Sequence, residues 1–126
     1  MTHYSTLVVF TVAAGFGWFA SSGFHAAQAH KPHRLGYSSI KPIIDAKCVG
    51  CHNDKRSPEK VNLSSYAKLL ASGERGSIVS AGHPEKSKFL LYVNGAKKPR
   101  MPFNQPPLSN KEIEAIQAWI AAGAQK

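Results

Sequence analysis

The sequence predicts an all-α fold, a small helical bundle with long loops. Three observations predict it. Apolar residues recur at helical spacing in several separate stretches, and capping residues, glycines or prolines bound each stretch. No convincing strand or internal repeat interrupts them. The chain has 126 residues with 43% apolar content, which fits one ordinary globular domain.

The elements follow in order. Residues 1–29 form an N-terminal apolar segment, with TLVVFTVAAGFGWFA at Thr6–Ala20 and no charge through residue 24. One reading is a signal peptide cut after Ala27-Gln28-Ala29, a small-residue cleavage pattern. The other is an anchor helix, since about 18 apolar residues just span a hydrocarbon core. Ala13, Gly17 and Ser21 would then place small residues on one face, open to a neighbouring membrane helix. Both readings export the remainder. Only the α-amino group and His3 offer positive charge ahead of the apolar run, an unusual start for either. The expected location is the periplasmic side of the cytoplasmic membrane, anchored through residues 6–24, or soluble in the periplasm after cleavage at Ala29.

Residues 30–36 read as a basic tether, and residues 37–126 as the folded domain. Ser38 or Ser39 is placed to cap a first helix carrying Ile40, Ile43 and Ile44, with Pro42 in its first turn. That helix runs directly into Cys48. Residues 53–62 form a polar loop. Ser64 is placed to cap a short helix with Tyr66, Leu69 and Leu70, ending at Gly73. Pro84 opens a third helix whose face is Phe89, Leu90 and Val93, and Asn94-Gly95 closes it. A loop holding Pro99, Pro102, Pro106 and Pro107 surrounds Met101 and excludes regular helix. In the last helix Ser109 and Glu112 form a capping box, and Leu108 and Ile113 are placed as a hydrophobic staple. Its buried face is Ile113, Ile116, Trp119 and Ile120, and Gly123 ends it. A bundle this small is held poorly by hydrophobic burial alone, so something further should complete the core.

Charge narrows the partners. Sixteen Lys and Arg stand against seven Asp and Glu, a net charge of +9, and every one of these residues lies at position 31 or later. Such a field steers an acidic partner or an anionic surface. No helix-turn-helix, zinc-finger or RNA-binding signature accompanies it, so nucleic acid is not expected.

The chemistry sits at Cys48-Val49-Gly50-Cys51-His52, a C-x-x-C-H sequence that uses both cysteines of the chain. This spacing lets two thiols form thioethers to the vinyl groups of one haem c, while the adjacent imidazole binds the iron. A zinc site would need two more ligands, and a dithiol redox site would need a βαβ pattern. For the second axial position the candidate is Met101, the one methionine besides the initiator, 49 residues beyond His52. His83, just before Pro84, is the rival.

With these residues in view, the chain resembles the class I monohaem c-type cytochromes, and more closely the small cytochrome c domain of planctomycetes, over about residues 38–123. The similarity rests on Ile43–Asn53 at the motif, Leu63-Ser64-Ser65-Tyr66 with Leu69-Leu70 and Gly73, and Pro84-Glu85-Lys86-Ser87 before Leu90-Leu91. Arg100-Met101-Pro102 and Leu108-Ser109 through Trp119–Ala124 complete it. The chain departs from that pattern at His83, where an acidic residue is usual, and at Phe103, where a second proline is common. The resemblance implies covalent haem c, His52 and Met101 as axial ligands, a first and last helix crossing near one haem edge, and electron transfer rather than substrate turnover. The expected function is therefore single-electron transfer between redox partners outside the cytoplasmic membrane. Acidic redox proteins are the expected partners, with subunits of a membrane redox complex reached through the N-terminal helix. Lys47, Lys55 and Arg56 on the cysteine side, and Lys97, Lys98 and Arg100 on the methionine side, should form a basic rim. The alternative is a gas sensor or peroxidase-like protein whose sixth position is open or filled by His83.

Overall fold

The computed structural model describes residues 35–126. The apolar segment, its cleavage pattern and most of the basic tether lie outside them. Among the described residues there are four α-helices and no strand, so the all-α expectation holds for this part of the chain. The helices are α1 (Lys41–Lys47), α2 (Tyr66–Ala71), α3 (Lys88–Val93) and α4 (Asn110–Ala121), with 3₁₀ turns at Tyr37–Ser39, Pro58–Lys60 and Pro84–Lys86. None of these helices is long and apolar enough to cross a membrane.

Three of the helices have only six or seven residues, too short to persist alone in water. Packing holds them. Ile40 and Ile44 from the first helical segment, Leu69 from α2, and Ile116, Trp119 and Ile120 from α4 are almost wholly buried in one apolar core. Phe89, Leu90 and Val93 join it from α3, and Leu108 from the approach to α4. The long helix α4 packs against α3 and against the turns at Tyr37–Ser39 and Pro84–Lys86.

The two ends of the described chain meet over this core. Tyr37 N–H donates to the Gln125 carbonyl at 2.8 Å, and the Trp119 indole donates to the same oxygen at 2.7 Å. Tyr66 Oη donates to the Ala124 carbonyl at 3.0 Å. The Tyr37 ring tilts against Tyr66 and Trp119 at centroid distances of 5.4 and 6.2 Å, a geometry favourable for aromatic pairs. The Tyr37 hydroxyl is buried without a partner among the described residues, and burial raises its pKa.

The capping box of α4 is present: Glu112 N–H donates to Ser109 Oγ at 3.3 Å, and Ser109 N–H donates to Glu112 Oε2 at 2.7 Å. Three local expectations need correction. Neither Ser38 nor Ser39 caps α1, because Ser39 Oγ turns back to donate to the Gly36 carbonyl and Ile40 occupies the cap position. Ser65, not Ser64, caps α2 by accepting from Lys68 N–H, while Ser64 bonds to the Asn62 side chain. Pro84 opens a 3₁₀ turn rather than α3, which starts at Lys88 after the buried Ser87. Ser87 Oγ accepts from Ser80 N–H at 3.0 Å, and this bond fixes the break between turn and helix.

Candidate haem-attachment site

The site begins where α1 stops. Cys48 N–H and Val49 N–H both donate to the Ile44 carbonyl, at 2.9 and 3.1 Å, so the helix ends in a wider π-type turn. The next turn continues through Cys51 N–H and His52 N–H, which donate to the Cys48 carbonyl at 3.0 and 2.9 Å. Cys48, Cys51 and His52 are thereby held on one turn, anchored through the fully buried Ile44. Both cysteines are free thiols. Cys51 is exposed, whereas burial, with smaller contributions from Cys51 and Glu112, pushes the Cys48 thiol up to about 11.

His52 is oriented from the loop that follows. Its Nδ1 lies 3.0 Å from the Val61 carbonyl. A carbonyl oxygen only accepts, so Nδ1 carries the proton and the Nε2 lone pair is left for a metal. The Leu63 N–H closes the same connection by donating to the His52 carbonyl at 3.0 Å. Between these two contacts, Asn62 is clamped by the buried Ser72, whose Oγ accepts from Asn62 N–H at 2.8 Å.

Met101 is half-buried and packs on the same apolar core as Cys48, Val49 and Val61. Its loop is tied to α3: Met101 N–H donates to the Tyr92 carbonyl at 3.0 Å, and Lys97 N–H to the Leu91 carbonyl at 2.8 Å. His83, the rival ligand, is exposed, with Nδ1 beside the Glu85 carboxylate at 3.3 Å. Among the described residues no cluster of three His, Cys, Asp or Glu side chains is arranged to hold a metal ion by itself.

Residues 48–104 match the family described as Planctomycete cytochrome C. The match opens on Cys48 and runs past Met101. It bears out the resemblance drawn from the sequence, and residues 48–104 are consistent with a small cytochrome c-like domain. No curated protein and no solved structure matches the chain.

Cytochrome c families bind haem c covalently, and the donor set of this domain fits that group. Two thiols at C-x-x-C spacing share one turn with an imidazole whose Nδ1 is engaged by the Val61 carbonyl, leaving Nε2 as its ligand atom. A thioether is held on the neighbouring core.

Asn53 is a structural residue of this site that spacing alone did not reveal. Its Nδ2 donates to the Val49 carbonyl at 2.7 Å, inside the motif, and its Oδ1 accepts from the N–H groups of Lys55 and Arg56 at 3.0 Å each. An Asn directly after the motif histidine, followed by a basic loop, is the only sequence signal of this Asx-type turn.

Proposed function

We propose that this cytochrome c-like domain is a one-electron carrier that would hold a single haem c through thioethers from Cys48 and Cys51, with His52 and Met101 as the residues that would bind its iron. The observation that carries the reading is the His52 Nδ1 bond to the Val61 carbonyl, within a turn that also presents both thiols. When bound, the haem supplies reversible Fe(III)/Fe(II) cycling.

The chain's own residues supply position and access. Val61 holds the His52 ring in one orientation, with Nδ1 toward its carbonyl and Nε2 available as a ligand. A soft thioether from Met101 would favour the reduced metal, and two protein ligands would leave no position for an external one. Val49, Val61, Leu70 and Met101 line the edge of the core on which an apolar macrocycle would pack, reducing water near the metal.

The carrier works outside the cytoplasmic membrane, with residues 1–29 serving as anchor or cleaved export signal, and acidic redox proteins serve as its partners. The charge of +9 supports the partner class, since such a field speeds encounter with an acidic protein.

Visible spectra of the protein, expressed where haem c is attached, test the reading. A sharp reduced α-band and a far-red sulfur-to-iron band in the oxidised form are expected, and Met101→Ala should abolish only the latter. Covalent haem without the sulfur band in the unaltered protein would refute Met101 as a ligand and leave a sensor or peroxidase-like protein. Fractionation of the full chain tests the anchor: recovery in detergent supports it, and recovery in the aqueous fraction supports cleavage.

A further inference from the structure

Asp54 stands two residues after His52, where the chain leaves the C-x-x-C-H turn. Its Oδ1 accepts from Asn62 Nδ2 at 2.7 Å, from Ser64 Oγ at 3.3 Å and from Lys68 Nζ in α2. These donors lie 8, 10 and 14 residues farther along the chain. Asp45 and Glu85, by contrast, pair with Lys41 and His83, only four and two residues away. Asp54 thus joins the exit of the motif to the 61–64 connection and to α2.

Asn62 lies between the two residues that hold His52, and each peptide on either side of it is a rigid plane. In the plane joining Val61 to Asn62, the carbonyl lies 3.0 Å from His52 Nδ1 and the N–H donates to Ser72 Oγ at 2.8 Å. In the plane joining Asn62 to Leu63, the carbonyl accepts from Ser72 Oγ at 2.8 Å and the N–H donates to the His52 carbonyl at 3.0 Å. Both planes therefore run from Ser72 to His52, and they hinge at the Asn62 Cα. The Asn62 side chain branches from that atom, so whatever holds it sets the rotation between the planes.

That side chain is committed at both ends. Its Oδ1 accepts from Ser64 N–H at 3.0 Å and from Ser64 Oγ at 2.8 Å, which turns Nδ2 toward Asp54. A flipped amide would set Nδ2 against the Ser64 N–H and Oδ1 against a carboxylate. An exposed carboxylate adds little to overall stability through such bonds. Its effect here is directional.

We propose that Asp54 is a positioning residue for His52: by holding the Asn62 amide it fixes the two peptide planes that present the Val61 carbonyl to Nδ1, and so fixes the direction of Nε2. This rests on the reading of His52 as an iron ligand given above, and extends the support of that ligand to a surface carboxylate.

The test uses the reduced holoprotein, expressed where haem c is attached, and reads solvent exchange of the His52 ring proton by NMR together with the midpoint potential. Asp54→Ala should quicken the exchange roughly fivefold, as expected for the loss of one hydrogen bond. Asp54→Asn keeps an oxygen for the Asn62 amide and should exchange at close to the unaltered rate. These two variants carry the same charge, so a midpoint potential that differs between them reports ring geometry rather than field. Asn62→Ala keeps the carboxylate but removes the amide it holds, and should reproduce the faster exchange. Lys68→Met should leave the exchange unchanged, and so should Ser109→Ala, which weakens the cap of α4 instead.

Unchanged exchange in Asp54→Ala, or equal potentials in the Ala and Asn variants, would overturn the proposal. So would equally fast exchange in Ser109→Ala, because general loosening would then explain the effect. Should Asp54→Ala yield no holoprotein, Asn62→Ala decides, and exchange at the unaltered rate there overturns the proposal as well. Failure of the carrier reading shows separately, as an unaltered protein without covalent haem.

Discussion

Ser72→Ala probes the link between the fold and the His52 ring. Ser72 is 3% exposed, and its hydroxyl oxygen accepts from Asn62 N–H at 2.8 Å. Its single proton is shared between the Lys68 carbonyl at 2.7 Å and the Asn62 carbonyl at 2.8 Å. Residues on either side of Asn62 hold His52, Val61 through its carbonyl and Leu63 through its N–H. Removing the hydroxyl leaves the Asn62 N–H without its partner and frees the peptide that orients the imidazole. A buried donor left unpaired costs about 1–3 kcal/mol, and Asn62 is only half-buried, so a loss near 2 kcal/mol is expected. For a domain of this size that lowers the melting temperature by roughly 8–16 °C. Urea unfolding followed by circular dichroism should show a lower midpoint with an unchanged slope. Hydrogen exchange of the His52 Nδ1 proton should quicken, and Ser72→Thr should restore much of both. A loss under about 0.5 kcal/mol with unchanged ring-proton exchange would refute the clamp.

Other substitutions test the remaining features. Trp119→Phe removes an indole donor from a fully buried site but leaves the Gln125 carbonyl its bond from Tyr37. A loss of roughly 2–3 kcal/mol in chemical denaturation is expected from packing and one hydrogen bond together. Gly73→Ala places a Cβ 2.3 Å from the Gly76 carbonyl oxygen at φ +117°, so destabilisation by more than about 2 kcal/mol should appear in the same assay. Ser109 N–H and hydroxyl hold the Glu112 carboxyl below the usual range, so the group binds its proton less tightly in the folded chain. Its contribution is then present above the ordinary glutamate pKa and fades as pH falls through the lowered folded value. The stability difference between the wild type and Glu112→Gln should therefore narrow in acid, and a gap constant from neutral pH to strongly acidic pH would count against the cap.

What the sequence reveals here follows the range of the interaction concerned. The capping box of α4 spans three residues, so Ser109 and Glu112 declare it without knowledge of the fold. The backbone of the C-x-x-C-H turn is equally local, formed by bonds from Cys48 and Val49 to Ile44 and from Cys51 and His52 to Cys48. The choice between Ser64 and Ser65 as a cap was not local. Asn62 takes the Ser64 hydroxyl, and Asn62 is itself held by Ser72, which lies beyond the helix being capped. The displaced start of α3 has the same origin, since Ser87 is buried to satisfy Ser80 across the turn. For the candidate site, the ligand types could be read directly, but the partner that fixes the imidazole could not. Val61 contributes a carbonyl, which every residue has, and its place beside Nδ1 depends on a loop closed by Leu63, Ser72 and the Lys60 carbonyl bound to Gly73 N–H. Side-chain chemistry is thus written in the sequence, whereas the backbone groups that aim it become visible only when distant segments pack together.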